Sequence, residues 1–213
     1  ETVPGHSYKP KGAKQAVADE QSAFSLAVES MAKVGIEAQV ISSGSTPSAA
    51  MSAEVSKDTR GKKPLVNELR PGVYVFNDAQ QLELGTCTQK QIALWAVATV
   101  VSVHENRMIL DSGSKTLGAD KAAWASGYGR LLDFPEARIV ALSEHHATVA
   151  FPKTKKTGVG ARSAGRKSPK IGDLVRVVPN HVCNAINLFD LVYLVQDQQV
   201  VGSWKILARG KNS

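Results

Sequence analysis

Long apolar runs are missing from this 213-residue sequence. No stretch approaches the ~20 residues a membrane helix needs, so a helical span is excluded. Cysteine is scarce: Cys87 and Cys183 are the two present. Two thiols build no disulfide framework, and their scarcity suits a reducing cytoplasm. The start, Glu1-Thr2-Val3-Pro4, lacks a secretory pattern and lacks Met, so the sequence is expected to begin inside a longer gene product. What is present is ordinary for a water-soluble globular protein, 43% hydrophobic and 21% charged. The length suits one large domain or two modest ones.

Acids are absent from one segment. Seven of the 26 basic residues lie between Lys153 and Lys170, with none of the 19 acidic ones, so the remainder balances at 19 against 19. The net charge of +7 is therefore local. A basic protein invites a nucleic-acid reading. Here the excess sits in a Gly-, Ser- and Lys-rich stretch with no aromatic residue to stack a base. The composition predicts a solvated loop inserted in a neutral domain, and no nucleic-acid partner.

Apolar spacing predicts an amphipathic helix over 13–35, with Phe24, Ala27, Val28 and Met31 on one face, extended by Ala16 and Ala23. Gly35 is its expected left-handed stop. A strand is expected at 36–41, then a glycine turn, then a helix capped by Thr46 with Pro47 first. Strands are also expected at 65–69 and 73–76. Beyond residue 78 the pattern turns β-rich, with strands at 92–103, 108–110, 138–142, 148–151, 174–178, 188–195 and 200–207, and a helical turn within 122–129. The fold class is α/β plus all-β, with 1–79 the first domain and 80–213 the second. One or two βα units cannot close a barrel. An N-terminal segment or a second chain must complete the first domain.

Four constellations bear chemistry. Gly44-Ser45-Thr46-Pro47 puts hydroxyls at a helix N-terminus, a cradle for phosphate; a plain capped helix after a tight turn is the alternative. His181-Val182-Cys183 is the second. In an extended segment, residues i and i+2 face the same side, so an imidazole and a thiolate can meet one metal. Nitrogen and sulfur favour zinc, and two ligands suit an open catalytic site. A core cysteine beside a surface histidine is the alternative. Gly5-His6-Ser7-Tyr8 suits a cofactor rim. Ser143-Glu144-His145-His146 places acid and base side by side, which alternation would turn to opposite faces; a structural or interface role is expected.

These runs occur in a telling order. Gly5-His6-Ser7-Tyr8 and Ser43-Gly44-Ser45-Thr46-Pro47 precede Glu68-Leu69-Arg70-Pro71-Gly72-Val73-Tyr74-Val75-Phe76-Asn77-Asp78. Then come Asp111-Ser112-Gly113-Ser114-Lys115, Gly127-Tyr128-Gly129, Leu142-Ser143-Glu144-His145, Pro179-Asn180-His181-Val182-Cys183 and Asn187-Leu188. The series resembles the D-serine dehydratase and D-threonine aldolase family, alanine-racemase-like enzymes of pyridoxal phosphate. The resemblance runs from Gly5 to the C-terminus. It implies the C-terminal part of a TIM-type barrel that holds pyridoxal phosphate, followed by a β-barrel-like domain.

The resemblance also implies roles. Gly44, Ser45 and Thr46 fall on the phosphate turn, and Tyr8 on a tyrosine near the cofactor. Tyr74, expected in the last barrel strand, is a second cofactor-side candidate. His181 and Cys183 fall on the metal ligands, taken as zinc. The family's Schiff-base lysine lies upstream of anything present here, so the chain alone is expected to be inactive. The implied reaction is elimination of water from a β-hydroxy D-amino acid such as D-serine. Retro-aldol cleavage of a D-threonine-like substrate is the close rival, and a non-catalytic binding or oligomerisation module is the rival of another class. The resemblance implies a homodimer.

Overall fold

The computed structural model describes residues 13–50, 65–152 and 169–211. Tyr8, the Gly5–Tyr8 run and nearly all of the basic segment lie outside the described residues. The chain divides into two units, 1–93 with 122–124, and 94–121 with 125–213.

The first unit opens with α1, Ala13–Ala32. Its buried stripe runs through Val17 and Glu20, with Phe24, Val28 and Met31 half-buried, while Ala23 and Ala27 stay exposed. A glutamate on that stripe needs a partner. Glu20 Oε1 accepts the Ser43 hydroxyl at 2.7 Å. Gly35 has φ +77°. Its N–H donates to Ala32 O and that of Ile36 to Met31 O, the double bond that ends a helix in a left-handed residue. The expected strand at 36–41 is absent. Ile36 and Val40 are exposed, and pairing begins only at β1, Ser42–Ser43, which runs parallel to β2, Glu68–Leu69. Asn67 fixes the register, accepting from Ile41 N and donating to Gln39 O, both at 2.8 Å.

The expected strand at 73–76 is a 3-10 turn, Val73–Val75. Local bonds replace a ladder: Phe76 N–H and Asn77 N–H both donate to Val73 O, at 3.2 and 2.7 Å. Asn77, at φ +56°, turns the chain toward the next helix. Helix α2 starts at residue 46 and is described to 50. Helix α3, Ala79–Leu84, is capped by Asp78, whose side chain accepts from Gln81 N at 2.9 Å, and stops at Gly85.

Among the described residues, the second unit is built on six strands: β3 (Ala96–His104), β4 (Arg107–Leu110), β5 (Gly129–Leu131), β6 (Arg138–Leu142), β7 (Ala147–Ala150) and β8 (Leu174–Pro179). Their order is β5-β8-β3-β4-β7-β6, antiparallel throughout. Tyr128 N–H donates to Ile139 O at 2.8 Å, joining the start of β5 to β6, so the sheet nearly closes into a barrel. Alternate residues point inward: Ala98 and Val100, Met108 and Leu110, Val175 and Val177 are buried in one core. Two short helices attach, α4 (Ser114–Leu117) and α5 (Val182–Ile186). No helical turn fills 122–129; most of it is turn and bend, because Gly127 and Gly129 pass close to neighbouring backbone. Strand β5, unexpected from sequence, follows it.

Hairpin β9–β10, Leu191–Gln196 and Gln199–Lys205, forms a separate two-stranded sheet. Its turn residues Asp197 and Gln198 both have positive φ, as a two-residue hairpin turn matched to strand twist requires.

Asp133 ties the end of β5 to β8. It accepts Arg176 N at 2.8 Å and the Arg176 guanidinium at 2.6 Å. Burial alone would raise the Asp133 pKa; the Arg176 hydrogen bonds more than offset it and hold it below the usual range. A lowered folded pKa stabilises above the unfolded value of ~3.9, and the gain is lost as pH falls through the folded value. Asp133→Asn is therefore expected to cost up to about 1 kcal/mol at neutral pH, as half-exposed pairs do. The gap from wild type should narrow in urea titrations as pH falls below ~3.9; a gap that does not change with pH would contradict the assignment.

Candidate metal centre and cofactor turn

Strand β8 ends at Pro179, which delivers buried Asn180 and then His181. His181 is the N-cap of α5, extended at φ −133°, ψ 110°. Cys183 is therefore in the first turn of a helix and not in a strand, correcting the alternation argument. Val182 and Ala185 are buried and anchor α5; Cys183 and Asn184 face solvent. The extended-to-helical corner still brings the two side chains together, since His181 and Cys183 share a side-chain hydrogen bond.

A residue that sequence reasoning missed completes the arrangement. Asp120, in the loop after α4, engages His181 Nδ1 through Oδ2. Its other oxygen, Oδ1, accepts Asn184 Nδ2 at 3.0 Å, and its main-chain carbonyl accepts Asn180 Nδ2 at 3.0 Å. Gly118, at φ +71°, brings the loop in; a Cβ there would sit 3.4 Å from both Asn184 Cβ and Asp120 Oδ1. The hydrogen bond to Asp120, then that to Cys183, push His181 up to about 10 despite burial. Burial would raise Asp120, but its bonds to His181 and Asn184 hold it below the usual carboxylate value. No spacing signal in the sequence links positions 120 and 181.

The donor set fits zinc. An imidazole whose Nδ1 is held by a carboxylate presents Nε2 to a metal, and a thiol beside it supplies a soft second ligand. Among the described residues no group of three His, Cys, Asp or Glu is placed to hold an ion, so such a site would be open. Cys87 is buried, and burial, then Asp78, push its thiol up to about 11. The Glu144–His145 pair forms a separate exposed cluster, with Lys115 Nζ 2.8 Å from Glu144 Oε2.

In the first unit, Gly44 is left-handed at φ +109°, and its Cβ would crowd Arg70 N and Leu69 Cδ2 at 3.3 Å. Ser45, one residue before the expected cap, caps α2: its N–H donates to Ser48 Oγ at 2.8 Å, and its carbonyl accepts Ala49 N. Thr46 Oγ1 accepts Tyr74 N at 3.0 Å, leaving its hydroxyl proton to donate. Thr46, as the first helical residue, has an N–H that no helical partner uses. Gly44, Ser45 and Thr46 thus fit a phosphate. Tyr74 meets the turn through its backbone, and its side chain is exposed.

Residues 93–195 match the family model described as putative serine dehydratase domain. An uncharacterized protein of Mycobacterium bovis is 48% identical over 143 residues, 65% of this chain and 99% of its own length. D-serine dehydratase of Dictyostelium discoideum is 28% identical over 94% of this chain, which spans only 51% of that enzyme. Among solved structures, D-threonine aldolase from Filomicrobium marinum superposes at TM-score 0.69, 22% identical, over 98% of this chain and 52% of its own. A cysteine-to-alanine variant of D-threo-3-hydroxyaspartate dehydratase in the metal-free form gives 0.67 at 22% identity, covering 94% and 53%. These two likenesses show the fold alone.

Proposed function

The chain belongs to the D-serine dehydratase and D-threonine aldolase family, and from that membership we propose that it is the C-terminal portion of a lyase that eliminates water from a β-hydroxy D-amino acid such as D-serine. The observation that carries the zinc part is the His181–Cys183 pair backed by Asp120. Support comes from two variants of D-threo-3-hydroxyaspartate dehydratase, one with a histidine and the other, in the metal-free form, with a cysteine replaced by alanine; the two replaced positions stand two apart, as His181 and Cys183 do.

Bound zinc supplies Lewis acidity toward a substrate hydroxyl. Pyridoxal phosphate supplies the electron sink. The chain's own residues hold these groups. His181 and Cys183 bind and orient the metal, while Asp120 keeps the proton on Nδ1. Gly44 would let the turn approach the phosphate, and the Thr46 hydroxyl and N–H would be its donors. Tyr74 N–H fixes the Thr46 rotamer. The proposed first domain is the late part of a TIM-type barrel, with Tyr8 at the cofactor, and the second is the β barrel that carries the metal ligands. A completing barrel segment brings the lysine, and two such chains pair as a homodimer in the cytoplasm. No described helix is long and apolar enough to cross a membrane.

Protein taken from its natural source, so that whatever completes the barrel accompanies it, is expected to release a 2-oxo acid and ammonia from D-serine. Chelation should abolish this and zinc restore it. Turnover indifferent to chelator would remove zinc from the account; glycine plus an aldehyde from D-threonine would replace elimination by retro-aldol cleavage. The relative that this chain spans over 99% of its length favours one second reading, a non-catalytic module. Absence of absorbance near ~420 nm, where the bound cofactor is the chromophore, together with no turnover, would decide for it.

A further inference from the structure

An imidazole has two nitrogens, and which one meets a metal is set by the hydrogen bond the other makes. In this chain that bond is specified from afar. Asp120 lies 61 residues before His181 and reaches Nδ1 through Oδ2. The carboxylate is itself held: Oδ1 by Asn184 Nδ2 and the main-chain carbonyl by Asn180 Nδ2, each at 3.0 Å. Asn180 is buried, and Gly118 supplies the positive φ, +71°, of the loop that carries Asp120. Both carboxylate oxygens are thus engaged by side chains, so Asp120 is placed to orient a ligand and not to be a third one.

We propose that Asp120 is the positioning residue of the metal centre, fixing the His181 ring with its proton on Nδ1 so that Nε2 faces the ion beside Cys183. Asn180 and Asn184 bracket the ligand pair and hold Asp120 in turn, so the segment Asn180–Asn184 carries both the ligands and the clamp on their support. This rests on the zinc reading of His181 and Cys183 and extends it to a residue that touches neither metal nor substrate. Removing such an outer partner weakens metal binding about 10–100-fold.

The test uses the full chain and zinc alone. Zinc affinity is measured by competition with a chromophoric chelator for wild type, Asp120→Asn, Asn184→Ala and His181→Ala, with circular dichroism confirming the fold. Two-bond proton–nitrogen correlation on the zinc-loaded chain then reports which His181 nitrogen carries the proton. Wild type is expected to show a protonated Nδ1. Asp120→Asn, which keeps the shape and loses the charge, should bind zinc about 10–100-fold more weakly and lose the single Nδ1-protonated pattern. Asn184→Ala, which leaves Asp120 in place, should fall between it and wild type, and it keeps the test open if Asp120→Asn misfolds. Wild-type affinity and an unchanged Nδ1 signal in both variants would overturn the proposal while leaving the zinc reading intact. Equal, negligible binding by wild type and His181→Ala would overturn both.

Discussion

Gly113→Ala is expected to abolish the cooperative unfolding of the barrel unit, or to lower its stability by about 3 kcal/mol or more, at the upper end of overpacking costs. A Cβ at Gly113 would lie 2.3 Å from Ser143 O and 2.5 Å from both Glu144 C and Glu144 O. These are backbone atoms, so no rotamer change relieves the clash. The two segments are also hydrogen-bonded there, Ser114 N–H to Ser143 O at 2.8 Å and Lys115 N–H to Glu144 O at 3.1 Å. Moving them apart breaks those bonds. The Gly113 φ of −105° is open to any residue, so the cost is one of space alone. Set against a typical total of 5–15 kcal/mol, it is large. Gly72→Ala, which meets nothing within 4 Å, should change stability by no more than about 0.5 kcal/mol. Urea midpoints followed by far-ultraviolet circular dichroism check both; equal midpoints for Gly113→Ala and wild type would refute the packing argument.

The second large effect falls on metal binding. His181→Ala and Cys183→Ala each remove one of the two proposed donors. Zinc affinity should therefore fall by more than the ~10–100-fold that loss of an outer partner costs. Stability should change little on Cys183→Ala, because Cys183 is exposed. Cys87→Ser serves as the contrast. That thiol is buried and pushed up to about 11, so its replacement should leave zinc affinity unchanged and cost stability instead. Chelator competition on the four proteins reads the first effect and urea titration the second. Retained affinity in Cys183→Ala would assign the metal elsewhere.

What could be read from sequence follows the range of the physics involved. Helix α1 and its Gly35 stop were legible because apolar spacing and a left-handed C-terminal glycine are local signals. The strands at 138–142 and 174–178 were legible because alternation and turn residues are local too. The strand expected at 73–76 was misread, since Val, Tyr and Phe favour strands while three successive local hydrogen bonds close a 3-10 turn there. Strand β5, three residues beginning at Gly129, carries too little pattern to be seen. The motif glycines were visible as letters, but their reasons were not. Gly127 would clash with Ile139 O and Gly129 with Val178 O, each at 2.6 Å, and neither partner is a near neighbour in sequence.

The candidate site divides in the same way. His181 and Cys183 were singled out by residue type and order, though the alternation argument placed them in a strand and the structure places them at a strand-to-helix corner. Gly44 and Thr46 were found as a helix start, with the cap one residue earlier than expected. Asp120 was not found, because nothing local marks an aspartate that bonds a histidine 61 residues later. Glu20 was likewise hidden, being a charged residue on an apolar face whose partner, Ser43, lies 23 residues away.

The account stands or falls on whether one ion sees both His181 and Cys183. Zinc K-edge X-ray absorption on the zinc-loaded chain is the direct measurement. One sulfur at ~2.3 Å and one imidazole nitrogen at ~2.0 Å are expected, with oxygen completing the shell, and the sulfur should be lost in Cys183→Ala. A shell without sulfur in the wild-type chain, or the same shell in both proteins, would contradict it.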